Sequence, residues 1–314
     1  MAQPADRSPE GDLAIETTHL RKEFGRKVAV QDLTLLVPRG EVFGFLGPNG
    51  AGKTTAVKML MGLVHPTSGS AKLLGLRPDD LRAKTKVGFL PELFRFHEWL
   101  TAEEFLDFHG QLYGMPTEKR QKRVPEVLEL VGLRDEGKYR LGTFSKGMQQ
   151  RIGIGQAILN DPEVVLLDEP TSALDPIGRR DVRDLIHFLK SEGRTVFLNS
   201  HLLSEIELVC DRVAIIDRGK VIATGRLQEL LAAGREIEAE VTDVSPAAVS
   251  ALQRFSQSVE LTDGHIRMTV PDRESIPRVA EVLVQHGARV YSMSPRGSLE
   301  DLFIHVIEEE ESRE

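Results

Sequence analysis

A loop of glycines, one lysine and two threonines has the composition and spacing that bind phosphate groups. It reads Gly47-Pro48-Asn49-Gly50-Ala51-Gly52-Lys53-Thr54-Thr55. Its pattern, G-x-x-x-x-G-K-[ST], lets successive backbone N–H groups turn toward one anion. Lys53 would reach the β- and γ-phosphates of a nucleotide, and the Thr54 hydroxyl would bind Mg²⁺. The residues therefore predict a binding site for a nucleoside triphosphate.

A pair of adjacent carboxylates supplies a second nucleotide signal. Residues 164–167 are an apolar run that predicts a buried strand, and Asp168 and Glu169 follow directly after it. Ligands of open α/β sheets lie at the carboxyl ends of their strands. Asp168 would hold a Mg²⁺ ion, and Glu169 would orient or deprotonate an attacking water. Acids also cap ordinary strand ends, but the phosphate loop in the same chain favours the catalytic interpretation.

A helix start later in the chain could also face an anion. It reads Phe144-Ser145-Lys146-Gly147-Met148-Gln149-Gln150-Arg151. Ser145 is a good N-cap, and Gly147 permits close backbone approach, so N–H groups would be presented there. Taken alone, these residues favour a routine helix start.

These residues need elements to position them, and the apolar pattern predicts an α/β fold. The apolar run Val42–Leu46 before the phosphate loop predicts a strand. Residues 56–61 after the loop predict the beginning of a helix. Residues 13 to about 40 alternate apolar and polar, which is typical of a small β region. Residues near 95–160 have helical spacing. Predicted strands at 164–167, 195–198 and 213–217, with a helix at 176–190, then indicate a parallel sheet.

The chain of 314 residues is long enough for a second, smaller domain. Composition changes near residues 225–234, and beyond it the elements follow the order βαββαβ, with a hairpin around Asp263-Gly264. That order predicts a small α+β, ferredoxin-like domain over residues 236–314, ending in an acidic tail. Residues 1–12 have no apolar core, so we expect a disordered tail and not a signal peptide there.

Composition limits the partners and the compartment. The net charge of −8 and the pI near 5.7 argue against nucleic acid as the main partner. The single cysteine, Cys210, is consistent with a reducing cytoplasm. No apolar stretch approaches the length that crosses a bilayer, so work at a membrane would require another chain to supply the span.

The order of motifs resembles that of the ATP-binding cassette (ABC) ATPases. The phosphate loop, the segment from Phe144 to Arg151, Asp168-Glu169, Ser172-Ala173-Leu174-Asp175 and His201 follow one another as in that family. The resemblance covers residues 13–230, with a helical subdomain at about 93–160. It implies that two cassettes close head to tail around two ATP molecules, as a homodimer or with a similar chain.

The resemblance also implies roles for further residues. Ser145, Lys146 and Gly147 would meet the γ-phosphate bound by the partner cassette, and Asp175 would link the two sites. His201 would hydrogen-bond the γ-phosphate and help to place the water. Phe24 matches the aromatic residue that stacks on adenine, although a core phenylalanine would also fit.

Two motifs depart from the family pattern. The segment after Phe144 commonly reads Leu-Ser-Gly-Gly-Gln, and here Lys146 replaces the first glycine and Met148 the glutamine. Glu92 stands where the family usually has a glutamine that senses the γ-phosphate through Mg²⁺. A carboxylate binds Mg²⁺ at least as well as an amide does. We therefore expect Thr54, Glu92 and Asp168 to be the metal-binding side chains.

We interpret the chain as the ATP-hydrolysing subunit of a bacterial ABC exporter. It would act in the cytoplasm, at the inner face of the membrane, on separate permease subunits. Its C-terminal segment Ser298-Leu299-Glu300-Asp301-Leu302-Phe303 is similar to that of one group of such exporters. The alternative is a soluble ABC ATPase acting on ribosomes or nucleic acid. An unrelated phosphate-loop kinase or GTPase would leave Asp175 and His201 unexplained.

Overall fold

The chain divides into two compact units, residues 1–225 and 226–314. The computed structural model describes residues 12–172, 174–232, 236–254, 256, 258–262, 264–270, 275–296 and 298–312. Several sequence predictions fall on residues outside those ranges: the tail at 1–12 apart from Asp12, Ala173 of the Ser172–Asp175 motif, Asp263 of the hairpin, and the last two residues of the acidic tail. Within the described residues, no helix is long and apolar enough to cross a membrane.

The first unit contains nine strands and seven α-helices in its described part. The strands are β1 (Leu13–Phe24), β2 (Lys27–Pro38), β3 (Val42–Leu46), β4 (Ser68–Leu73), β5 (Val87–Leu90), β6 (Val164–Asp168), β7 (Thr195–Asn199), β8 (Arg212–Asp217) and β9 (Lys220–Arg226). The helices are α1 (Lys53–Leu60), α2 (Leu81–Lys84), α3 (Ala102–Leu112), α4 (Thr117–Leu130), α5 (Lys146–Ile158), α6 (Pro176–Ser191) and α7 (Leu203–Val209).

One mixed sheet joins all nine of these strands, in the order β4-β1-β2-β9-β8-β3-β7-β6-β5. The five strands from β8 to β5 are parallel to one another, and β4, β1 and β2 are antiparallel. Every residue of β3, β6 and β7 is buried, as expected for parallel strands covered on both faces. The predicted α/β fold class, with a parallel-sheet core and a small antiparallel region, is confirmed.

Three helices, α3, α4 and α5, pack against one another in the part of the chain where helical spacing was predicted. Thr101 begins α3 with a capping box, since its hydroxyl accepts from the N–H of Glu104 and the Glu104 carboxylate accepts from the N–H of Thr101. The residues between α4 and α5 form turns and one 3₁₀ segment, Leu141–Thr143. The prediction of helical structure over residues 95–160 was therefore wrong for this connecting segment.

The second unit has its own core. After α8 (Leu227–Ala232) come β10 (Glu236–Thr242), α9 (Pro246–Leu252), β11 (Val259–Thr262), β12 (His265–Thr269), α10 (Ser275–Gln285), β13 (Arg289–Arg296) and α11 (Leu299–Glu311). The antiparallel sheet has the order β11-β12-β10-β13, which is that of a split βαβ ferredoxin-like fold. Buried residues such as Ile237, Met268 and Leu283 fill its interior.

Candidate nucleotide-binding and hydrolysis site

The phosphate loop lies between β3 and α1, and two of its glycines, Gly50 and Gly52, have positive φ angles that other residues avoid. Gly52 is the N-cap of α1 with φ of 102°. A Cβ atom there would lie 2.3 Å from the carbonyl oxygen of Ala29, so no side chain fits. The loop borders a cavity of about 210 Å³, lined by Lys27, Ala29, Asn49, Gly50, Gly52, Lys53, Thr54 and Thr55. The loop therefore leaves room for an anion at the start of α1.

Lys53 holds the loop together and carries its charge. Its ammonium group donates to the carbonyl oxygens of Gly47 at 2.7 Å and Pro48 at 3.2 Å. Burial lowers the pKa of Lys53, while the negative charges of Glu169, Asp168 and Glu92 act in the opposite direction. Three carboxylates thus act on one lysine, and a bound cation would balance their excess negative charge.

Asp168 ends β6 in a buried position beside β7. It pairs in register with Asn199, whose side-chain amide donates a hydrogen bond to the Asp168 carboxylate. Burial raises the pKa of Asp168, and the charges of Glu92 and Glu169 raise it further, while the hydrogen bond from Asn199 acts against them. The carbonyl oxygen of the Asn199 side chain is buried without a hydrogen-bond partner among the described residues.

The backbone of Glu169 has a conformation that is uncommon for a residue other than glycine. Its φ is 56°, in the left-handed region. Its N–H donates to the carbonyl oxygen of Asn199 at 2.8 Å. Its own carbonyl oxygen accepts from Gln150 of α5 at 3.3 Å and from the Ser172 hydroxyl at 3.1 Å. Two other elements, β7 and α5, and a turn of its own loop thus hold the backbone of this residue.

His201 lies beside the Glu169 carboxylate. The Nδ1 atom of His201 is 2.7 Å from Oε2 of Glu169. The Glu169 side chain is 11% exposed and the His201 side chain is 55% exposed, so the pair lies at the protein surface with His201 on the solvent side. Glu169 directly follows Asp168, so a carboxylate and an imidazole meet beside the buried Asp168 carboxylate, an arrangement that can activate a water molecule.

The residues predicted to act from the partner cassette lie on two other helix starts. The Ser145 hydroxyl accepts from the N–H of Met148 at 3.2 Å as the N-cap of α5. The Asp175 carboxylate accepts from the N–H of Gly178 at 2.8 Å as the N-cap of α6. A Cβ atom on Gly147 would lie 3.3 Å from Leu174, so the two helix starts are neighbours. Ser145, Lys146, Gly147 and Asp175 do not line the cavity at the phosphate loop.

Phe24 and Glu92 are exposed at the positions where the sequence places nucleotide contacts. The Phe24 side chain is 51% exposed, and Phe24 pairs across the β1–β2 turn with Lys27 of the phosphate-loop cavity. The ammonium of Lys22 lies 4.8 Å from the centre of the Phe24 ring. Glu92 follows β5, and its negative charge raises the pKa of the buried Asp168 carboxyl group.

Sequence reasoning missed Asn199 and Gln150 as part of this site. Asn199 stands at the end of a predicted strand, two residues before His201, and that position was the available signal. Gln150 gave no such signal, because its contact with Glu169 depends on how α5 packs against the end of β6.

Taken together, the fold and the site define a phosphate-loop ATPase. The ABC transporter family model matches residues 30–172. An uncharacterized ABC transporter ATP-binding protein of Synechocystis is 41% identical over 90% of this chain and 79% of its own length. The bacitracin transport ATP-binding protein of Bacillus licheniformis is 37% identical over 93% of this chain and 97% of its own length. The Nod factor export ATP-binding protein I of a Rhizobium strain is 33% identical over 94% of this chain and 97% of its own length.

Solved structures agree. The ATP-binding subunit of an ABC transporter superposes with a TM-score of 0.64 at 30% identity, over 69% of this chain and 91% of that one. An ATP-binding cassette in a dimeric post-hydrolysis state with ADP and phosphate superposes with a TM-score of 0.62 at 26% identity, over 68% of this chain and 98% of that one. The chain belongs to the ABC transporter ATP-binding proteins: it binds and hydrolyses ATP as the ATPase subunit of a transporter.

Proposed function

We propose that this ATPase powers export through separate membrane subunits, with Glu169 as the general base. The observation that carries the proposal is the pairing of His201 with Glu169 beside Asp168 and Lys53. Glu169 takes the proton of the attacking water, and His201 orients the Glu169 carboxylate through its ring nitrogen. Lys53 and the N–H groups of the loop after β3 hold the phosphates.

The donor set fits Mg²⁺. Thr54, Asp168 and Glu92 offer one hydroxyl and two carboxylates, which are the oxygen ligands that a hard cation prefers. Among the described residues, no cluster of three or more His, Cys, Asp or Glu could hold a metal alone. The proposed cation would be bound through a few side chains together with nucleotide phosphates. When bound, the ion neutralises charge on the β- and γ-phosphates.

The complete site needs a second copy of the cassette. Ser145, Lys146, Gly147 and Asp175 lie at the N-terminal ends of α5 and α6, where backbone N–H groups favour an anion. They do not line the cavity of their own phosphate loop. In the proposed homodimer, each chain completes the site of the other, and Lys146 adds a positive charge opposite the γ-phosphate. ATP closes the dimer and hydrolysis reopens it.

Export rather than import is supported by the relatives. The Rhizobium relative is named for Nod factor export, and the Bacillus licheniformis relative for bacitracin transport, and both match nearly the whole chain. The alignment with each covers more than nine-tenths of both sequences, so it includes the C-terminal unit. We place the protein in the cytoplasm, held at the inner face of the membrane by its permease. The C-terminal unit would contribute to dimer contact or to partner selection.

Capture of the partner tests the proposal. Tagged Glu169→Gln protein is purified from mildly solubilised, ATP-treated membranes, and co-purifying proteins are identified by mass spectrometry. Lys53→Ala protein, which should not bind ATP, is the matched control. A multi-helix membrane protein in near-equal amount supports the transporter. Ribosomal or nucleic-acid-binding proteins in its place would support the soluble alternative and contradict export.

A further inference from the structure

Asn199 ends β7 in a buried position between two other strands. It is 2% exposed, and β7 pairs in parallel with β6 on one side and with β3 on the other. The register sets Asn199 beside Asp168 of β6 and beside Phe45 of β3. Side chains at paired positions of neighbouring strands lie on the same face of the sheet. Of these two neighbours, therefore, only Asp168 offers a strong acceptor for the Asn199 amide.

The two ends of the Asn199 amide have different surroundings. The NH₂ group donates a hydrogen bond to Oδ1 of Asp168. The side-chain carbonyl oxygen is buried and has no hydrogen-bond partner among the described residues. An ionised carboxylate only accepts hydrogen bonds, so the NH₂ group has to be the end that faces Asp168. Because a buried acceptor without a donor costs free energy, the amide contributes here mainly through its bond to Asp168.

This hydrogen bond fixes the orientation of the Asp168 carboxylate. Asp168 is 2% exposed, so bulk water has little access to its two oxygens. Rotation about the last side-chain bond of Asp168 would break the bond from Asn199 to Oδ1, so the direction of Oδ2 is fixed as well. A residue that orients a metal-binding side chain without touching the metal typically changes metal affinity by about 10- to 100-fold.

A different atom of Asn199 holds the neighbouring acid. The backbone carbonyl oxygen of Asn199 accepts from the N–H of Glu169 at 2.8 Å. The Glu169 carboxylate contacts the ring of His201. A substitution at position 199 therefore removes the side-chain bond to Asp168 and keeps the backbone bond to Glu169. The contributions of the two acids can be separated on that basis.

We propose that Asn199 is a positioning residue for Mg²⁺ binding, because its side-chain amide holds the Asp168 carboxylate in the orientation that binds the ion. The inference rests on the proposed function, in which Asp168 binds Mg²⁺ together with Thr54 and Glu92. Loss of the amide weakens Mg²⁺ binding in the presence of nucleotide. It leaves the phosphate loop, and with it nucleotide binding without Mg²⁺, as it is.

The test measures Mg²⁺ binding apart from hydrolysis. A fluorescent, non-hydrolysable ATP analogue is titrated into the full-length protein over a range of Mg²⁺ concentrations and, separately, in EDTA. Asn199→Ala should raise the Mg²⁺ concentration for half-maximal tightening of analogue binding about tenfold. Its affinity for the analogue in EDTA should equal that of the parent. The rate of ATP hydrolysis should fall much less at saturating Mg²⁺ than at low Mg²⁺, because the backbone at position 199 still holds Glu169.

Two further variants separate the hydrogen bond from the volume of the side chain. Asn199→Leu is similar in size but cannot donate, so it should require as much Mg²⁺ as Asn199→Ala. It also carries the test if Asn199→Ala does not fold, as judged by thermal melting. Asn160→Ala is the matched control. Asn160 precedes β6, whereas Asp168 ends that strand, and the Asn160 amide donates to the carbonyl oxygen of Thr85 at 2.9 Å. This variant should require no more Mg²⁺ than the parent.

The variant Asp168→Asn shows whether Asn199 acts through Asp168. In that background, Asn199→Ala should not raise the required Mg²⁺ concentration further, because the carboxylate that Asn199 positions is already gone. Two residues that act through one contact are non-additive in this way, whereas independent residues add.

Three results would overturn the inference. Asn199→Ala could require no more Mg²⁺ than the parent, or Asn199→Leu could behave like the parent, so that volume and not donation matters. Alternatively, Asn199→Ala could add its full effect to that of Asp168→Asn. A parent whose analogue binding does not respond to Mg²⁺ at all contradicts the proposed Mg²⁺ site itself, and this inference falls with it.

Discussion

The Nδ1 atom of His201 and the Oε2 atom of Glu169 are 2.7 Å apart, although the residues lie on different loops. Glu169 follows β6 and His201 follows β7, and the two strands pair in parallel, which brings their carboxyl ends together. The contact fixes the direction of a carboxylate whose backbone is already held by Asn199. If Glu169 is the general base, as proposed, a carboxylate fixed in this way would lose little conformational entropy when the water reacts.

Replacing His201 with alanine should lower the rate of ATP hydrolysis by about 10²-fold, the lower end of what a general base contributes. The reason is that Glu169 would remain but would no longer be oriented. The measurement is steady-state phosphate release at saturating ATP. His187→Ala, an exposed histidine of α6, is the control and should hydrolyse ATP normally. Equal rates for the two variants would show that His201 has no role in turnover.

Asp168→Asn should make the nucleotide-free and metal-free protein more stable at neutral pH. Burial raises the pKa of Asp168 above its ordinary value, so the folded state bears a cost for the ionised group at every pH above that raised pKa. Below about pH 4 the group is protonated in the folded and unfolded states alike, and the advantage of asparagine should vanish.

Urea unfolding at neutral pH and near pH 4 measures this difference, with the exposed Asp181→Asn as the control. A variant that is less stable than the parent at neutral pH would contradict the desolvation argument. The same variant should also lose the stabilisation that Mg²⁺ and ATP together give the parent, because a carboxylate ligand is gone.

Glu92→Gln should keep ATP hydrolysis within a few-fold of the parent. An amide can still bind Mg²⁺, and the variant removes a negative charge that raises the pKa of Asp168. The Mg²⁺ concentration for half-maximal hydrolysis should rise, because one carboxylate is lost. Glu98→Gln, in the same loop, controls for the change of charge. A complete loss of hydrolysis in Glu92→Gln alone would show that this carboxylate is chemically required.

Removal of residues 236–314 should leave ATP binding intact. The residues around the phosphate site all lie in the first unit, and the second unit has a core of its own side chains. Equilibrium binding of a fluorescent ATP analogue checks the first expectation. Dimer formation or permease capture should change in the truncated protein. An unchanged complex would make the C-terminal unit a passive attachment.

The elements that carry the phosphate site could be predicted from the sequence because their signals are local. The strands β3, β6 and β7 are short apolar runs, and the loop before α1 is marked by glycines at fixed spacing. The strand β4 was not predicted. Its residues Ser68–Leu73 are mostly polar and exposed at the edge of the sheet, so they carry little of the apolar alternation that marks a strand.

Features that depend on packing could not be predicted. Glu169 has a left-handed backbone conformation although it is not a glycine, so its residue type does not predict that conformation. Contacts with Asn199, Gln150 and Ser172 hold the backbone there. Gly153 looks like an ordinary glycine in the sequence, and only the fold brings Phe94 against it. Both features arise from contacts between residues that are far apart in the chain, so a pattern of neighbouring residues cannot predict them.

Hydrolysis by Glu169→Gln tests the central claim most directly. Turnover and ATP binding are measured side by side for the parent, for Glu169→Gln and for the exposed control Glu207→Gln of α7. The account predicts that Glu169→Gln binds ATP like the parent and loses about 10²- to 10⁴-fold in turnover, the usual contribution of a general base. Turnover close to that of the parent would contradict the assignment of Glu169 and with it the proposed mechanism.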